Sequence, residues 1–149
     1  MVVLGAGARQ LRFELSDLGV KIAVNASWKD GMSTSIRAGL DELEAVATPD
    51  AALFTTCDQP FVTPALLRHL AASFAATRPP AVACEYAGTL GVPALFERAL
   101  FPELRQLTGD QGAKPVIEAH GPDVARVACE EAAVDIDTPE DAGRLMKGN

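Results

Sequence analysis

Ala51-Ala52-Leu53-Phe54-Thr55-Thr56-Cys57-Asp58-Gln59-Pro60-Phe61-Val62-Thr63-Pro64 holds a strand, a turn and a helix start in one run. Residues 51–55 are short and apolar, as a strand buried in a parallel sheet should be. The strand delivers one carboxylate, Asp58, to its carboxyl end. Pro60 forces the backbone to turn. Thr63 then reads as an N-cap, with Pro64 at the first helical position and Val62 placed to staple onto Leu67. In open α/β sheets, ligands bind outside the carboxyl ends of the strands. A carboxylate there is well placed to hold a metal ion that bridges phosphates. The plainer reading is an Asp that ends a strand and caps a turn.

The same alternation extends through the chain. Strands are expected at residues 1–4, 20–24, 51–55, 81–84, 124–128 and 133–135. Helical spacing covers residues 9–18 through Leu11, Leu15 and Leu18, and residues 33–46 through Ile36, Leu40 and Leu43. Further helices are expected at 63–76, 94–100 and 102–107, and from near Asp110 to Ala119. The last helix, 138–147, has Thr138 as N-cap, Pro139 next and Asp141 completing a capping box. Gly91 and Pro93 interrupt residues 90–96, which reads as an edge or distorted strand. Strands alternating with helices predict an α/β fold, a mainly parallel sheet with helices on both faces.

With 149 residues, 48% of them hydrophobic and 22% charged, the chain is one domain's worth and can bury a core. Aromatics at 5% do not make a stacking platform for single-stranded nucleic acid. A net charge of −7 without a basic stripe speaks against nucleic acid and anionic membranes as partners. Cys57, Cys84 and Cys129 lie far apart in apolar contexts, and His69 and His120 are isolated. They read as reduced thiols in a cytoplasmic protein, with no structural zinc site. Nothing in these residues reads as a signal peptide or as an apolar run of membrane-spanning length.

Gly5-Ala6-Gly7-Ala8-Arg9-Gln10 imitates a dinucleotide fingerprint but has Gln10 where the third glycine belongs. Asn25 stands where a ribose-binding acid is required, so a nicotinamide-dependent reductase is a minor alternative. Asn25-Ala26-Ser27-Trp28-Lys29-Asp30-Gly31-Met32-Ser33-Thr34-Ser35-Ile36 is a polar loop entering a helix. Its glycine and hydroxyls suit a base, sugar or phosphate at the positive end of the helix dipole. Ser33 as a simple N-cap and Trp28 as packing are the plainer readings. Thr108-Gly109-Asp110-Gln111-Gly112-Ala113-Lys114 is a second Gly-flanked loop, suited to a ligand or to an ordinary turn. Val134-Asp135-Ile136-Asp137-Thr138-Pro139-Glu140-Asp141 repeats the Asp58 design. If Asp58 and Asp137 converge, they form a two-carboxylate magnesium site of the kind used with substrate phosphates. On a strand, only one of Asp135 and Asp137 points into a given site.

These motifs, with Gly91-Val92-Pro93-Ala94-Leu95-Phe96, occur in an order and spacing that resemble the MobA-like nucleotidyltransferases, specifically the molybdenum cofactor cytidylyltransferase branch. The resemblance runs from Val2 to Leu145. It implies a Rossmann-like nucleotidyltransferase fold, a three-layer α/β/α single domain. It also implies transfer of CMP from CTP to the terminal phosphate of the molybdenum-bound pterin, with loss of pyrophosphate. By that resemblance Asp58 and Asp137 hold Mg2+, or Mn2+. Asn25, Gly31, Met32, Ser33 and Ser35 meet the nucleotide, and Gly91, Pro93, Gly109, Asp110, Gly112 and Lys114 face the pterin.

The family pattern begins with a strand and a loop of the form Leu-Ala-Ala-Gly-x-Ser-x-Arg-Met-Gly-x-x-Lys, which binds the triphosphate. Residues 1–4 match the family's second strand instead. Roughly 30 residues, the size of a βαβ unit, are therefore expected to be missing. The expected consequences are an unpaired strand edge, weak CTP–Mg binding and poor turnover. Two alternatives go with this reading. One is a non-catalytic module that binds molybdopterin or docks on a molybdenum hydroxylase during cofactor insertion. The other is a nucleotidyltransferase using GTP or another acceptor.

Overall fold

A computed structural model describes residues 1–147. The chain forms two compact units, one of residues 1–52 and 97–119, the other of residues 53–96 and those from 120 onward.

In the first unit, β1 (Val2–Leu4) pairs in parallel with β2 (Ile22–Val24), with Val3 opposite Ala23. Between them lie α1 (Ala8–Glu14) and a 3-10 turn, Ser16–Leu18. The helical stripe expected over 9–18 is thus broken at Leu15, and Leu11, Phe13 and Leu18 remain exposed. α2 (Met32–Val46) packs on both strands, burying Ile36 and Leu40 one turn apart. Gly39 permits close approach: a Cβ there would lie 3.0 Å from the Val3 side chain. α2 also packs on α4 (Phe101–Gln106), which buries Phe101 and Leu104. Arg37 Nη1 donates to the Leu107 carbonyl at 2.7 Å, satisfying an acceptor left over at the end of α4. Arg105 reaches back to Asp41 at 2.8 Å and Glu44 at 2.7 Å. α5 (Lys114–Ala119) buries Val116 and Ile117. It starts at Lys114 and not near Asp110, because Thr108–Gln111 closes as a turn.

The chain enters β3 (Ala51–Phe54) in the first unit and leaves it in the second. The four-stranded sheet has the order β3-β5-β4-β6, with β4 (Ala81–Tyr86), β5 (Thr89–Glu97) and β6 (Ala125–Ala128). β4 runs parallel to β6 and antiparallel to β5. α3 (Pro64–Thr77) lays Leu70 and Phe74 against β4 and β6. Phe54 meets Phe96 edge to face, with centroids 5.5 Å apart. Among the described residues β1 pairs only with β2, and β3 only with β5, so each keeps an unpaired edge.

Several expectations need correction. β5 is the distorted strand expected at 90–96, interior to the sheet and not at its edge, and it runs through Glu97 where a helix at 94–100 was expected. The pairing steps from Ala83 opposite Ala94 to Cys84 opposite Gly91, leaving Val92 and Pro93 bulged out of the ladder. The Val92–Pro93 peptide is cis. Bulging lets a residue without an N–H sit in a central strand. No strand forms at 133–135. Cys129 N–H still bonds Glu85 O at 3.0 Å, then a 3-10 turn, Glu130–Ala133, buries Ala132 and carries the chain off the sheet.

The two Thr-Pro helix starts form as expected. Thr63 Oγ1 accepts from Leu66 N–H at 3.2 Å. At α6 (Pro139–Lys147), Asp141 N–H donates to Thr138 Oγ1 at 3.2 Å and Thr138 N–H donates to Asp141 Oδ2 at 3.1 Å. All three cysteines are free; burial and the adjacent Cys129 thiol push the Cys84 thiol up to about 12, so it is unreactive. No described helix is long and apolar enough to cross a membrane.

Candidate active site

In the second unit, Asp58 follows β3 in the irregular segment before α3. Its carbonyl accepts the Ile136 N–H at 2.8 Å, which draws the Asp135-Ile136-Asp137 segment to the Asp58 turn. Asp58 Oδ1 is buried and has no hydrogen-bond partner among the described residues. Burial, then the Asp58 charge, then Asp137, hold the Asp135 carboxyl above its ordinary range. Asp135 thus lies within electrostatic reach of both Asp58 and Asp137. With residues 134–138 irregular, the strand alternation that would have separated the two side chains does not apply. A cleft of about 300 Å³ is lined by Val134, Asp135, Ile136, Asp141 and Arg144.

An orphaned carboxylate oxygen among like charges suits a hard cation, which takes oxygen ligands. Among the described residues no three His, Cys, Asp or Glu side chains converge as a complete metal cage. One or two carboxylates, with substrate oxygens and water, can complete the shell of such a divalent cation. Pro93 lies in the β5 bulge and Gly91 next to it in the ladder, and both are buried. A Cβ on Gly91 would collide with the Tyr86 hydroxyl, which donates to the Val92 carbonyl at 3.1 Å. Burial, with the Asp135 charge next, raises the Tyr86 phenol, and the Gln59 amide beside it opposes that shift. Gln59, buried directly after Asp58, is not among the residues expected at the site. The Gln-Pro pair directly after Asp58 was the available signal.

In the first unit, the loop from β2 into α2 is tied together by Asn25. Its Nδ2 donates to Thr34 Oγ1 at 2.7 Å and Ser35 Oγ at 3.0 Å, and its Oδ1 accepts Ser27 N–H at 2.9 Å. Asn25 is 4% exposed and Ser33 is 0% exposed, so both stand behind the loop surface. Ser33 Oγ has no hydrogen-bond partner among the described residues. The Ser33 N–H donates to the Gly109 carbonyl at 3.1 Å, so the second Gly-flanked loop caps α2 directly. Gly31 has φ 102 and ψ 174, and a Cβ there would overlap the Gly109 carbonyl. A Cβ on Gly112 would lie 3.0 Å from Met32 Sδ. Asn25, Gly31, Met32, Ser33, Ser35, Gly109 and Gly112 therefore form one continuous patch. Met32 and Trp28 are exposed, with Lys29 Nζ 5.6 Å from the indole centroid. Asp110 is exposed, and Lys114 pairs with Glu118 at 4.0 Å along α5. A larger hollow of about 550 Å³ lies against Gly7, Ala8, Arg9, Gln10 and Phe13. It holds none of these residues.

The crystal structure of a Mycobacterium tuberculosis Rv0371c homologue from Mycobacterium sp. strain JC1 superposes with a TM-score of 0.76 at 27% identity, covering 99% of this chain and 73% of that one. Rv0371c from M. tuberculosis H37Rv, solved in complex with manganese, gives a TM-score of 0.72 at 28% identity, covering 97% of this chain and 76% of that one. A nucleotidyl transferase from Methanothermobacter thermautotroptrophicus shares the fold, with a TM-score of 0.71 at 21% identity over 99% of this chain and 74% of that one. No curated protein sequence matches. The fold is thus that of the Rossmann-like nucleotidyltransferases. The MobA-like NTP transferase domain matches residues 1–124, a span that contains Asp58 and the whole α2 loop and stops before Asp135 and Asp137. This chain belongs to the MobA-like NTP transferase domain family and is a nucleotidyltransferase.

Proposed function

We propose that this nucleotidyltransferase moves CMP from CTP to the terminal phosphate of a molybdenum-bound pterin. In that reaction an acceptor phosphate oxygen bonds the α-phosphorus. The α–β bridging bond breaks, and pyrophosphate leaves with the electron pair. The observation that carries the reading is the Asp58 carboxylate, whose buried Oδ1 lacks a partner among the described residues while Asp135 lies within electrostatic reach of it. Asp58 and Asp137 are the proposed ligands of magnesium or manganese, and the manganese in Rv0371c at 28% identity supports a divalent cation. When bound, the cation neutralises triphosphate charge that builds on the leaving pyrophosphate.

The protein residues divide the remaining work. In the first unit, Gly31, Met32 and Ser35 present the nucleotide-facing surface, with Asn25 and Ser33 holding that surface in shape. Gly109, Asp110, Gly112 and Lys114, and in the second unit Gly91 and Pro93, are the proposed contacts of the pterin. The choice of CTP and of the pterin rests on the resemblance of these motifs to the cytidylyltransferase branch. Phosphorus-31 NMR of pyrophosphate release, with CTP or GTP and a molybdopterin acceptor, tests it. Release from CTP that needs the acceptor and is lost in Asp58→Asn is the expected result. Release from GTP in preference to CTP, or unchanged release in Asp58→Asn, would overturn it.

A further inference from the structure

Gln59 is a buried amide, 7% exposed, directly after Asp58. Its Nε2 donates to the Ala132 carbonyl at 2.8 Å and the Val92 carbonyl at 3.1 Å. Its Oε1 accepts from Thr56 Oγ1 at 3.3 Å. One side chain thereby joins three segments. Thr56 belongs to the Asp58 turn, Val92 to the β5 bulge, and Ala132 to the 3-10 turn that leads into Asp135, Ile136 and Asp137. No ladder or helix spans residues 55–63 or 134–138, so regular structure does not fix the separation of the carboxylates. The Ile136 N–H on the Asp58 carbonyl, 2.8 Å, is a single backbone tie across that gap.

We infer that Gln59 is a positioning residue: its carboxamide sets the Asp58 carboxylate against the Asp135-Ile136-Asp137 segment. The geometry demands an amide. Both partners are carbonyls, and a primary amide offers two N–H donors from one atom plus an acceptor for Thr56. A glutamate of the same size donates nothing when ionised and adds a charge beside Asp58. A leucine keeps the bulk but leaves the Ala132 carbonyl without this donor, whereas the Val92 carbonyl keeps the Tyr86 hydroxyl at 3.1 Å. The functional meaning of the inference, though not its geometry, rests on the metal reading above.

The test measures amide hydrogen exchange at Ile136 and at Val82, in the middle of β4, together with Mn2+ affinity by electron paramagnetic resonance. The proteins are wild type, Gln59→Leu, Gln59→Glu and Tyr86→Phe, each checked for folding by circular dichroism. In both Gln59 variants Ile136 should exchange about tenfold faster relative to Val82, and Mn2+ should bind about tenfold more weakly. Tyr86→Phe should change neither, since it leaves the Ala132 tie in place. A folded Gln59 variant with wild-type exchange at Ile136 overturns the inference. So does equal acceleration at Ile136 and Val82, or failure of both Gln59 variants to fold, because each makes Gln59 a general stability residue. A wild-type protein that binds no Mn2+ sinks the metal reading alone, and exchange at Ile136 still decides the role of Gln59.

Discussion

Replacing Gly31 by Ala strikes the junction between the α2 loop and the Gly109 loop. Gly31 has φ 102 and ψ 174. That region is essentially reserved for glycine, and a side chain there costs about 1–3 kcal/mol. The new Cβ would also overlap the Gly109 carbonyl and lie 2.7 Å from Asp110 N. Both obstacles are backbone, so neither can swing aside as a side chain would. The Gly109 loop must shift, and the Ser33 N–H···O bond to Gly109, 3.1 Å long, breaks with it. One such bond contributes about 0.5–1.5 kcal/mol net. The total is about 2–4 kcal/mol, at the severe end for a single substitution. For a chain of this size that lowers the midpoint of thermal unfolding by about 4–16 °C. Gly19→Ala supplies the reference. Gly19, at φ 63 and ψ 17 with nothing within 4 Å of its Cβ position, reports the smaller penalty of the left-handed helical region without a collision. Urea unfolding of wild type and both variants gives the comparison. If Gly31→Ala costs no more than Gly19→Ala, the close packing of the two loops is wrong. Nucleotide affinity, measured on any Gly31→Ala protein that stays folded, should fall with the loop.

Other outcomes follow from the same contacts. Asn25→Ala removes three hydrogen bonds at a buried position and should cost about 2–3 kcal/mol in urea unfolding, far more than Ser35→Ala. Chelation by EDTA should stop pyrophosphate release, with Mg2+ or Mn2+ restoring it. Asp58→Asn should lower turnover by more than tenfold beyond any effect of Ser35→Ala, measured as kcat at saturating nucleotide. Asp135 has a raised folded-state pKa, so the folded chain binds more protons than the unfolded one between the ordinary and the raised value. Stability should therefore fall as pH rises through that window, stay reduced above it, and be recovered on acidification. Asp135→Asn should abolish this contribution, seen as a wild-type-minus-variant stability that declines with pH; parallel curves would refute it.

Local chemistry was legible in the residues. Thr63-Pro64 and Thr138 with Asp141 form their caps because each partner lies within three residues, and no distant contact is needed. The apolar periods at residues 33–46 and 51–55 likewise fix α2 and β3 through the side chains they must hide. The motif order marked the family, since the turn glycines and Asp58 sit at spacings that only their common fold requires.

Partners distant in sequence were not legible. Pro93 argues for an edge or a distorted strand, and only the Val92–Pro93 bulge lets β5 run between β3 and β4. Residues 133–135 have the composition of a strand, yet the buried Ala132 turn takes them off the sheet and leaves Asp135 within electrostatic reach of Asp58. Asn25 and Ser33 read as polar residues of a loop, and that packing buries both was not legible. Gln59 shows the reason most plainly: its acceptors, Val92 and Ala132, lie 33 and 73 residues away in sequence. A side chain's type states what it can bond, whereas chain topology alone brings it the atom that it bonds.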